Sequence, residues 1–319
     1  MICDTKLMHQ GASTRELCRL LRVSRATTYR RQAKQVPVLL SAAPAVTPKL
    51  NPVTSKSQPT QVQVWSEENI FLRDEIEQLV LKHPWHGYRR ITKLLARKGI
   101  HVNRKRVLRI MQLEKLICKR KKRFVPKTTD SNHAYRCYPN LLEKHKPQGL
   151  DEVWHADLTY IRVKESFVYL ACVLDGFSRK IVGYAISIFM DSMLVLEALQ
   201  MALKTRSPAP GLIHHSDRGS QYASEKYIRM LEKHGVRISM SRVGMATDNA
   251  KIESFFGGFK RECVNLLEFD SLADVLANIP AFLEGVYNEK RLHSSLGYLP
   301  PVEFEALIRS ESESAMVRL

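Results

Sequence analysis

The chain has 319 residues, 44% of them hydrophobic, and a formal net charge of +18, so it is long enough for two or three domains and can bury at least one full core. Its longest clean apolar run, residues 167–174, is far too short to cross a bilayer, and the opening MICDTKLMHQ lacks the apolar stretch of a signal peptide. The six cysteines are scattered without a CxxC pair, which argues against a redox motif or a zinc knuckle. We therefore expect a cytoplasmic protein with reduced thiols and no membrane partner.

The positive charge is concentrated in two N-terminal segments. Residues 1–35 contain eight Lys or Arg and two Asp or Glu, and residues 86–127 contain 16 and one, whereas the chain from residue 128 onward contains 22 and 24. A polyanion such as double-stranded DNA explains this segregation, because each neutralised phosphate releases counterions. The alternatives are a solvated basic face and acidic lipid, and lipid is disfavoured because the segments lack an opposing face rich in Trp, Phe and Leu.

Residues 1–35 contain two short helical patterns. Leu17, Leu20 and Leu21 have helical spacing, and Ser24 can cap a second helix, which together predict a helix-turn-helix. The alternative is a helical hairpin that packs against another part of the protein. The second helix carries the candidate DNA-binding residues Arg25, Arg30 and Arg31. Residues 36–64 contain five prolines and no periodicity, and they predict an extended linker.

Residues 65–117 predict a second helical DNA-binding domain. A helix begins near Ser66 with an acidic first turn, and a helix–break–helix pattern follows, with the break at Gly99 and the last helix starting near Asn103. This is again a helix-turn-helix pattern, and the candidate DNA-binding residues are Arg89, Arg90, Arg104, Lys105 and Arg106. Residues 118–149 predict a basic linker whose candidate contacts are Lys119, Arg120, Lys121, Lys122 and Arg123.

Replacing the five consecutive basic residues 119–123 with Gln tests this charge assignment. Log affinity for duplex DNA falls with log salt at a slope of about −0.9 per neutralised phosphate, so the slope should become shallower by roughly three to four units. Affinity should fall similarly for specific and random DNA, because phosphate contacts carry no sequence information. A salt titration that gives the wild-type slope would show that the arm is only a connector.

From residue 150 onward the pattern changes to a mixed α/β order. The segments VWHADLTYIRV, SFVYLACVLDG, KIVGYAISI, GLIHHSD and VRISMS predict five strands, of which the first three form an antiparallel meander. Helices are predicted over residues 193–205, 224–234, 248–263 and 272–288. We expect residues 150–305 to form a catalytic core with a C-terminal helix, followed by a tail over residues 306–319.

Three acidic residues in this core form a candidate catalytic set. Asp157 lies within the first strand, Asp217 ends the fourth, and Glu253 lies 35 intervening residues later on a helix. Each alone has a structural explanation, as a strand-edge residue, a turn former and a solvated helix residue. If they cluster, the three carboxylates repel one another. Hard divalent cations prefer oxygen ligands, so binding such a cation between the carboxylates relieves that repulsion. Two ions ~3.5–4 Å apart would activate an attacking oxygen and stabilise the leaving one at phosphorus.

The chain resembles a known family through motifs that span most of residues 85–304. They are HGYRRITKLL with VNRKRVLRIM, VWHADLTYI, YLACVLDGFSRKIVGYAIS, HHSDRGSQYAS, TDNAKIESFFGGFKRE and YNEKRLHSSLGYLPPVEF. These motifs resemble the OrfB-type transposases of two-reading-frame bacterial insertion sequences, whose cores are similar to retroviral integrases. The resemblance implies an RNase H-like mixed five-stranded sheet flanked by helices, and strand cleavage and strand transfer at element ends.

The resemblance also implies cofactors, partners and site residues. It implies two Mg²⁺ or Mn²⁺ ions per site, held by Asp157, Asp217 and Glu253 as catalytic and metal-binding residues. Lys260 and Asn249 share the helix face of Glu253, seven residues after it and four before it, and are candidate DNA-binding residues. Expected partners are transposon ends and target DNA, a homo-oligomer formed on DNA, and an upstream OrfA protein, with nucleoid association in the cytoplasm.

Two departures from the integrase pattern limit the comparison. His83 and His86 have a zinc-ligand spacing, but Cys118 and Cys137 are 19 positions apart, so we expect no zinc site. Ala246 and Thr247 stand in the loop before Asp248 where the family often has an aromatic residue, which argues against base stacking by this loop.

Other motif residues have no assigned chemistry. The adjacent His214 and His215 alternate faces along a strand and are interpreted as fold residues. Four C-terminal motif residues are expected to pack the last helix on the core: Tyr287, Arg291, His293 and Tyr298.

Two alternative functions remain at this level. The same acids would serve a metal-dependent nuclease that hydrolyses DNA without joining it, because only the nucleophile differs. A DNA-binding repressor with a catalytically silent core is the alternative outside enzymes, and the intact triad argues against it.

Overall fold

A computed structural model of the chain describes residues 66–117, 136–143, 145–164, 166–267 and 269–316. The chain divides between Lys119 and Arg120 into two compact units. The first predicted helix-turn-helix and the Pro-rich linker lie outside the described residues. So do eight of the candidate DNA-binding residues: Arg25, Arg30, Arg31, Lys119, Arg120, Lys121, Lys122 and Arg123.

The described part of the first unit is a three-helix cluster. Its helices are α1 (Glu67–Lys82), α2 (Tyr88–Arg97) and α3 (Arg104–Leu113). The predicted break is confirmed, because Gly99 adopts a φ of +80° that favours glycine. The start of α3 is confirmed as well, since the Asn103 side chain accepts a hydrogen bond from the Lys105 amide at 2.8 Å. The apolar faces meet in a core that includes Ile76, Ile91, Leu95, Val107 and Ile110.

The second unit is built on a mixed five-stranded sheet, as predicted. The strands are β1 (Val153–Val163), β2 (Ser166–Asp175), β3 (Ile181–Ser187), β4 (Ile213–Ser216) and β5 (Arg237–Met240). Their order is β3-β2-β1-β4-β5, in which β1, β2 and β3 are antiparallel and β4 pairs parallel with both β1 and β5. This is the arrangement expected of an RNase H-like core, and the predicted meander is confirmed.

Helices cover both faces of this sheet. They are α4 (Ser192–Arg206), α5 (Glu225–Lys233), α6 (Ala250–Phe259), α7 (Leu272–Ala281) and α8 (Pro301–Met316). Alternate residues of β2 face opposite layers, so that Ala171 packs with α4 and Cys172 packs with α6. Gly183 permits the close approach of α4, because a Cβ at that position would lie 2.3 Å from the Ala198 carbonyl oxygen.

Three helical predictions differ from the structure in their detail. The predicted helix over residues 248–263 is a 3₁₀ turn (Ala246–Asn249), then α6, then a π-turn (Lys260–Val264). The predicted helix over residues 272–288 becomes a π-helical segment at Phe282–Asn288, just after Pro280, which lacks the N–H that continues a helix. The predicted boundary of the tail at residue 305 falls inside α8, where Glu305 is buried.

The edges of the sheet are occupied by other parts of the chain. At the β5 edge, the Met240 amide donates to the Pro139 carbonyl and the Leu141 amide donates to the Ser239 hydroxyl at 2.9 Å. The end of the predicted basic linker therefore belongs to the core unit. At the β3 edge, the Asn288 side chain accepts from the Ile181 amide and donates to the Ile181 carbonyl, each at 2.9 Å. Among the described helices, none is long and apolar enough to span a membrane.

Candidate active site

The sheet register brings two of the predicted acids to the same place. His155 of β1 lies opposite His215 of β4, so Asp157 and Asp217 come two residues further along neighbouring parallel strands. Asp157 is half-buried and lies opposite Cys172 of β2. The loop after β4 is held by a hydrogen bond from the Gly219 amide to the Asp217 carboxylate at 3.0 Å. Glu253 is exposed on the first turn of α6.

The charges of Asp217 and Glu253 both act on Asp157. Burial is the main reason why the pKa of Asp157 is raised well above its usual range, and the charges of Asp217 and Glu253 raise it further. The hydrogen bond from the Leu158 amide, at 2.8 Å, and the charge of Lys260 oppose this increase in pKa. The raised pKa favours the protonated, neutral form of Asp157 in the metal-free protein.

Lys260 acts electrostatically on Asp157. It is the first residue of the π-turn that follows α6, and its Nζ is 4.0 Å from the centre of the Tyr160 ring. Because Lys260 lowers the pKa of Asp157, its ammonium group is close enough to act on the acids.

Asn249 occupies a different position from the one we expected. Its amide is buried, with Oδ1 at 3.0 Å from His155 Nδ1 and Nδ2 donating to the Ala156 carbonyl at 3.1 Å. The side chain therefore ties the start of α6 to β1 inside the protein. The expected surface contact with DNA does not match this position, because the β1 backbone already uses the amide.

The neighbouring histidines of β4 are buried, as expected of fold residues. His214 Nε2 lies 2.9 Å from the Tyr227 hydroxyl, and His215 contacts the hydroxyls of Ser239 and Ser241 at 2.8 and 3.1 Å. Burial lowers the pKa of His214 to about 3 and that of His215 to about 4, so both rings are neutral at physiological pH.

Tyr222 is a site residue that the sequence analysis missed. It is 2% exposed, and its hydroxyl has no hydrogen-bond partner among the described residues. Burial raises its pKa, and the nearby charges of Asp157 and Asp217 raise it further, which places the hydroxyl near both acids. Two signals were available, its place in the motif HHSDRGSQYAS and its position five residues after Asp217, but a loop aromatic gives no reason by itself to expect a site.

The basic residues of the helical unit differ in their surroundings. Arg89, Arg104 and Lys105 are exposed, and Arg90 is half-buried. Arg106 is also exposed, but its guanidinium donates to Asn69 at 3.0 Å and to Glu68 at 3.2 Å on α1. Among residues 66–117, the exposed side chains of α2 and α3 therefore supply most of the positive surface.

No three His, Cys, Asp or Glu side chains among the described residues lie close enough together to hold a metal ion as they stand. Asp217 affects the pKa of Asp157 more strongly than Glu253 does. The two acids of β1 and of the loop after β4 therefore interact more strongly with each other than Asp157 does with the exposed Glu253. Carboxylate oxygens are the ligands that hard divalent cations prefer.

Comparison with protein families matches both units. Residues 147–246 and 234–301 match two families described as integrase core domains, and residues 66–124 match an HTH-like domain. One solved structure with a similar core is the HTLV-2 integrase catalytic core domain in complex with magnesium. It is 17% identical and has a TM-score of 0.35, with 49% of this chain and 95% of that chain covered.

Curated relatives cover most of the chain. The transposase for insertion sequence element IS904 of Lactococcus lactis is 40% identical over 78% of this chain and 97% of its own length. An IS600 31 kDa protein of Shigella sonnei is 39% identical over 75% and 88%, respectively. Transposase InsF for insertion sequence IS3A of Escherichia coli is 37% identical over 69% and 76%. With this identity across both units, the chain belongs to the OrfB-type transposases of bacterial insertion sequences.

Proposed function

We propose that this transposase cuts DNA at the ends of its insertion sequence and joins the resulting 3′-hydroxyls to target DNA, with Asp157, Asp217 and Glu253 as its catalytic residues. The observation that carries the proposal is the mutual effect of these acids on the pKa of Asp157, next to the ammonium of Lys260. A structural role would not require three acids to share one site at the cost of repulsion.

The same three acids are the proposed ligands of two Mg²⁺ or Mn²⁺ ions. When bound, such ions activate an attacking oxygen and stabilise the leaving oxygen in a displacement at phosphorus. The protein side chains have separate tasks. Asp157 and Asp217 provide carboxylate oxygens from adjacent strands, Glu253 provides them from α6, and Lys260 holds a phosphate of the DNA backbone next to them.

DNA binding is proposed to be divided along the chain. In the helical unit, α3 would contact a groove through Arg104 and Lys105, with Arg89 on α2 contacting phosphate. The proposed segments before and after it are the helix-turn-helix of residues 1–35, the linker of residues 36–64 and the basic linker of residues 118–149, which carries the basic residues 119–123. We further propose that the protein assembles as a homo-oligomer on nucleoid DNA in the cytoplasm, with an OrfA partner.

A strand-joining assay separates the transposase from its alternatives. The substrate is a duplex with a pre-cut element end that carries a 3′-hydroxyl, mixed with a supercoiled target plasmid and Mg²⁺. The proposal predicts covalent joining of the duplex to the plasmid. A nuclease would give cleaved plasmid without joined product, and a silent repressor would shift the duplex in a gel without either reaction.

The raised pKa of Asp157 leads to a prediction about stability. A carboxyl whose pKa is higher in the folded chain than in the unfolded chain makes the folded state bind more protons. The free energy of unfolding of the metal-free protein should therefore fall as pH rises above the unfolded value of about 4. Asp157→Asn should reduce this fall, and Mg²⁺ should stabilise the wild type more than the variant.

Urea denaturation across pH, in EDTA and in Mg²⁺, measures both effects. The control is Asp270→Asn, which replaces an exposed acid that pairs with Lys164 at the surface. It should leave the Mg²⁺ effect at the wild-type level. If Mg²⁺ raises the free energy of unfolding equally in the wild type and in Asp157→Asn, Asp157 is not a metal ligand.

A further inference from the structure

A buried ion pair joins the C-terminal motif to the turn that carries Lys260. Arg291 donates from Nε to Glu262 Oε2 at 2.7 Å and from Nη2 to Oε1 at 2.9 Å, so the contact is bidentate. The side chains are only 11% and 6% exposed. Bidentate pairs of this kind fix geometry as well as charge, because both planar groups must align.

Glu262 lies inside the π-turn that begins at Lys260. The turn is closed by a hydrogen bond from the Asn265 amide to the Lys260 carbonyl at 2.8 Å. A π-turn adds a residue to the helical turn, and this changes the directions in which the neighbouring side chains point. Such turns are frequent at functional sites. Arg291 therefore holds the turn whose first residue reaches the acid cluster.

The helix preceding the turn leaves room for this arginine. A Cβ on Gly258 would lie 3.2 Å from Arg291 Nη2, so the guanidinium packs directly against the bare face of α6. On its other side, Arg291 lies over the Tyr287 ring at 5.5 Å and contacts His293. Tyr287 in turn packs edge-on against Phe255 of α6 at 4.8 Å. The guanidinium is fixed from several directions and can act as a rigid support.

We propose that Arg291 is a positioning residue that acts through Glu262 to aim Lys260 at the DNA phosphate next to the acids. This inference rests on the proposed function of Lys260 in DNA binding. It gives the C-terminal motif a role in the active site, in addition to packing the last helix on the core. The proposal requires one link between the C-terminal motif and the π-turn, which is the carboxylate of Glu262.

A double-mutant cycle tests the proposal. DNA affinity is measured by fluorescence anisotropy against salt, with a duplex carrying a pre-cut element end, for the full chain and for Lys260→Gln, Arg291→Gln and the double variant. Loss of one phosphate contact should make the salt slope shallower by about 0.9. We expect this change in each single variant and no further change in the double variant. Arg291→Lys keeps the positive charge but loses the planar guanidinium that makes the bidentate contact. Its salt slope should therefore lie between those of the wild type and Arg291→Gln.

Controls separate positioning from folding. Glu262→Gln keeps the size of the side chain and should repeat the change of slope, with folding checked by circular dichroism. Glu305→Gln removes a charge from another buried pair of the same unit, with Arg206, and should lower stability without changing the slope.

Each other outcome rejects a specific claim. Additive effects of Lys260→Gln and Arg291→Gln would overturn the positioning role alone. A folded Glu262→Gln protein with the wild-type slope would do the same. If Lys260→Gln itself leaves the slope unchanged, the proposed contact between Lys260 and phosphate fails, and the inference fails with it. If neither Arg291 nor Glu262 variants fold, the pair serves the fold and the proposal is rejected.

Discussion

Asp157→Asn should abolish DNA cleavage and strand joining while leaving DNA binding intact. Removing even an outer-shell partner of a metal ligand typically costs 10–100-fold, so loss of a ligand itself should cost at least about 100-fold. Asn keeps the shape of the side chain but loses the charge that attracts a cation. Binding should persist, since the basic residues of the helical unit lie on other elements.

The same loss is expected for Asp217→Asn and Glu253→Gln. Cleavage and joining are measured with labelled element ends in Mg²⁺, and binding is measured by gel shift in EDTA. The matched controls are Asp270→Asn and Glu197→Gln, which change exposed acids of the same unit outside the cluster. Near-normal turnover in any one of the triad variants would remove that residue from the assignment.

Arg206→Met should destabilise the core unit by about 3–5 kcal/mol, the cost of breaking a buried ion pair by removing one partner. The Arg206 side chain is 4% exposed and donates to Glu305 at 2.7 Å and to Asp151 at 2.9 Å, with Asp175 at 3.9 Å. Met fills much of the same volume but removes the guanidinium from all three carboxylates, of which Glu305 still has Lys180 at 3.3 Å. At about 2–4 °C per kcal/mol for a unit of this size, the midpoint should fall by roughly 10 °C.

Thermal and urea denaturation followed by circular dichroism measure this loss. The control is Arg229→Met, because Arg229 pairs with Glu225 on the surface of α5 with both side chains more than 70% exposed. Exposed helical pairs contribute about 0.3–0.5 kcal/mol, so the control midpoint should move by no more than a degree or two. Equal effects of the two substitutions would show that the network around Arg206 contributes little.

The sheet could be predicted because its signals are local. The strand segments are either alternating or continuously apolar, and short polar turns separate the first three. Asp157 lies on β1 and Asp217 directly follows β4, so the register of these two strands aligns them. The sequence signals for the start of α3 at Asn103 and for the break at Gly99 are local as well, since each depends on the conformation of a single residue.

Features that depend on long-range pairing could not be predicted. Asn249 is buried because it meets the Ala156 carbonyl, 93 residues earlier in the chain. Glu262 and Arg291 are 29 residues apart, and neither segment by itself indicates the other. The extent of α8 was missed because its buried contact, between Glu305 and Arg206, joins residues 99 positions apart. Periodicity describes one element at a time and carries no information about such partners.

The contact of Asn288 with the β3 edge has a consequence for protein synthesis. Its amide takes the place of a neighbouring strand at Ile181, where an incoming strand would otherwise begin to pair. Asn288 leaves the ribosome 107 residues after Ile181, so the sheet can form well before this edge is closed. During that interval the β3 edge of a nascent chain is open to pairing with other nascent copies. Misassembly should therefore be greatest when many ribosomes translate the same messenger RNA at once.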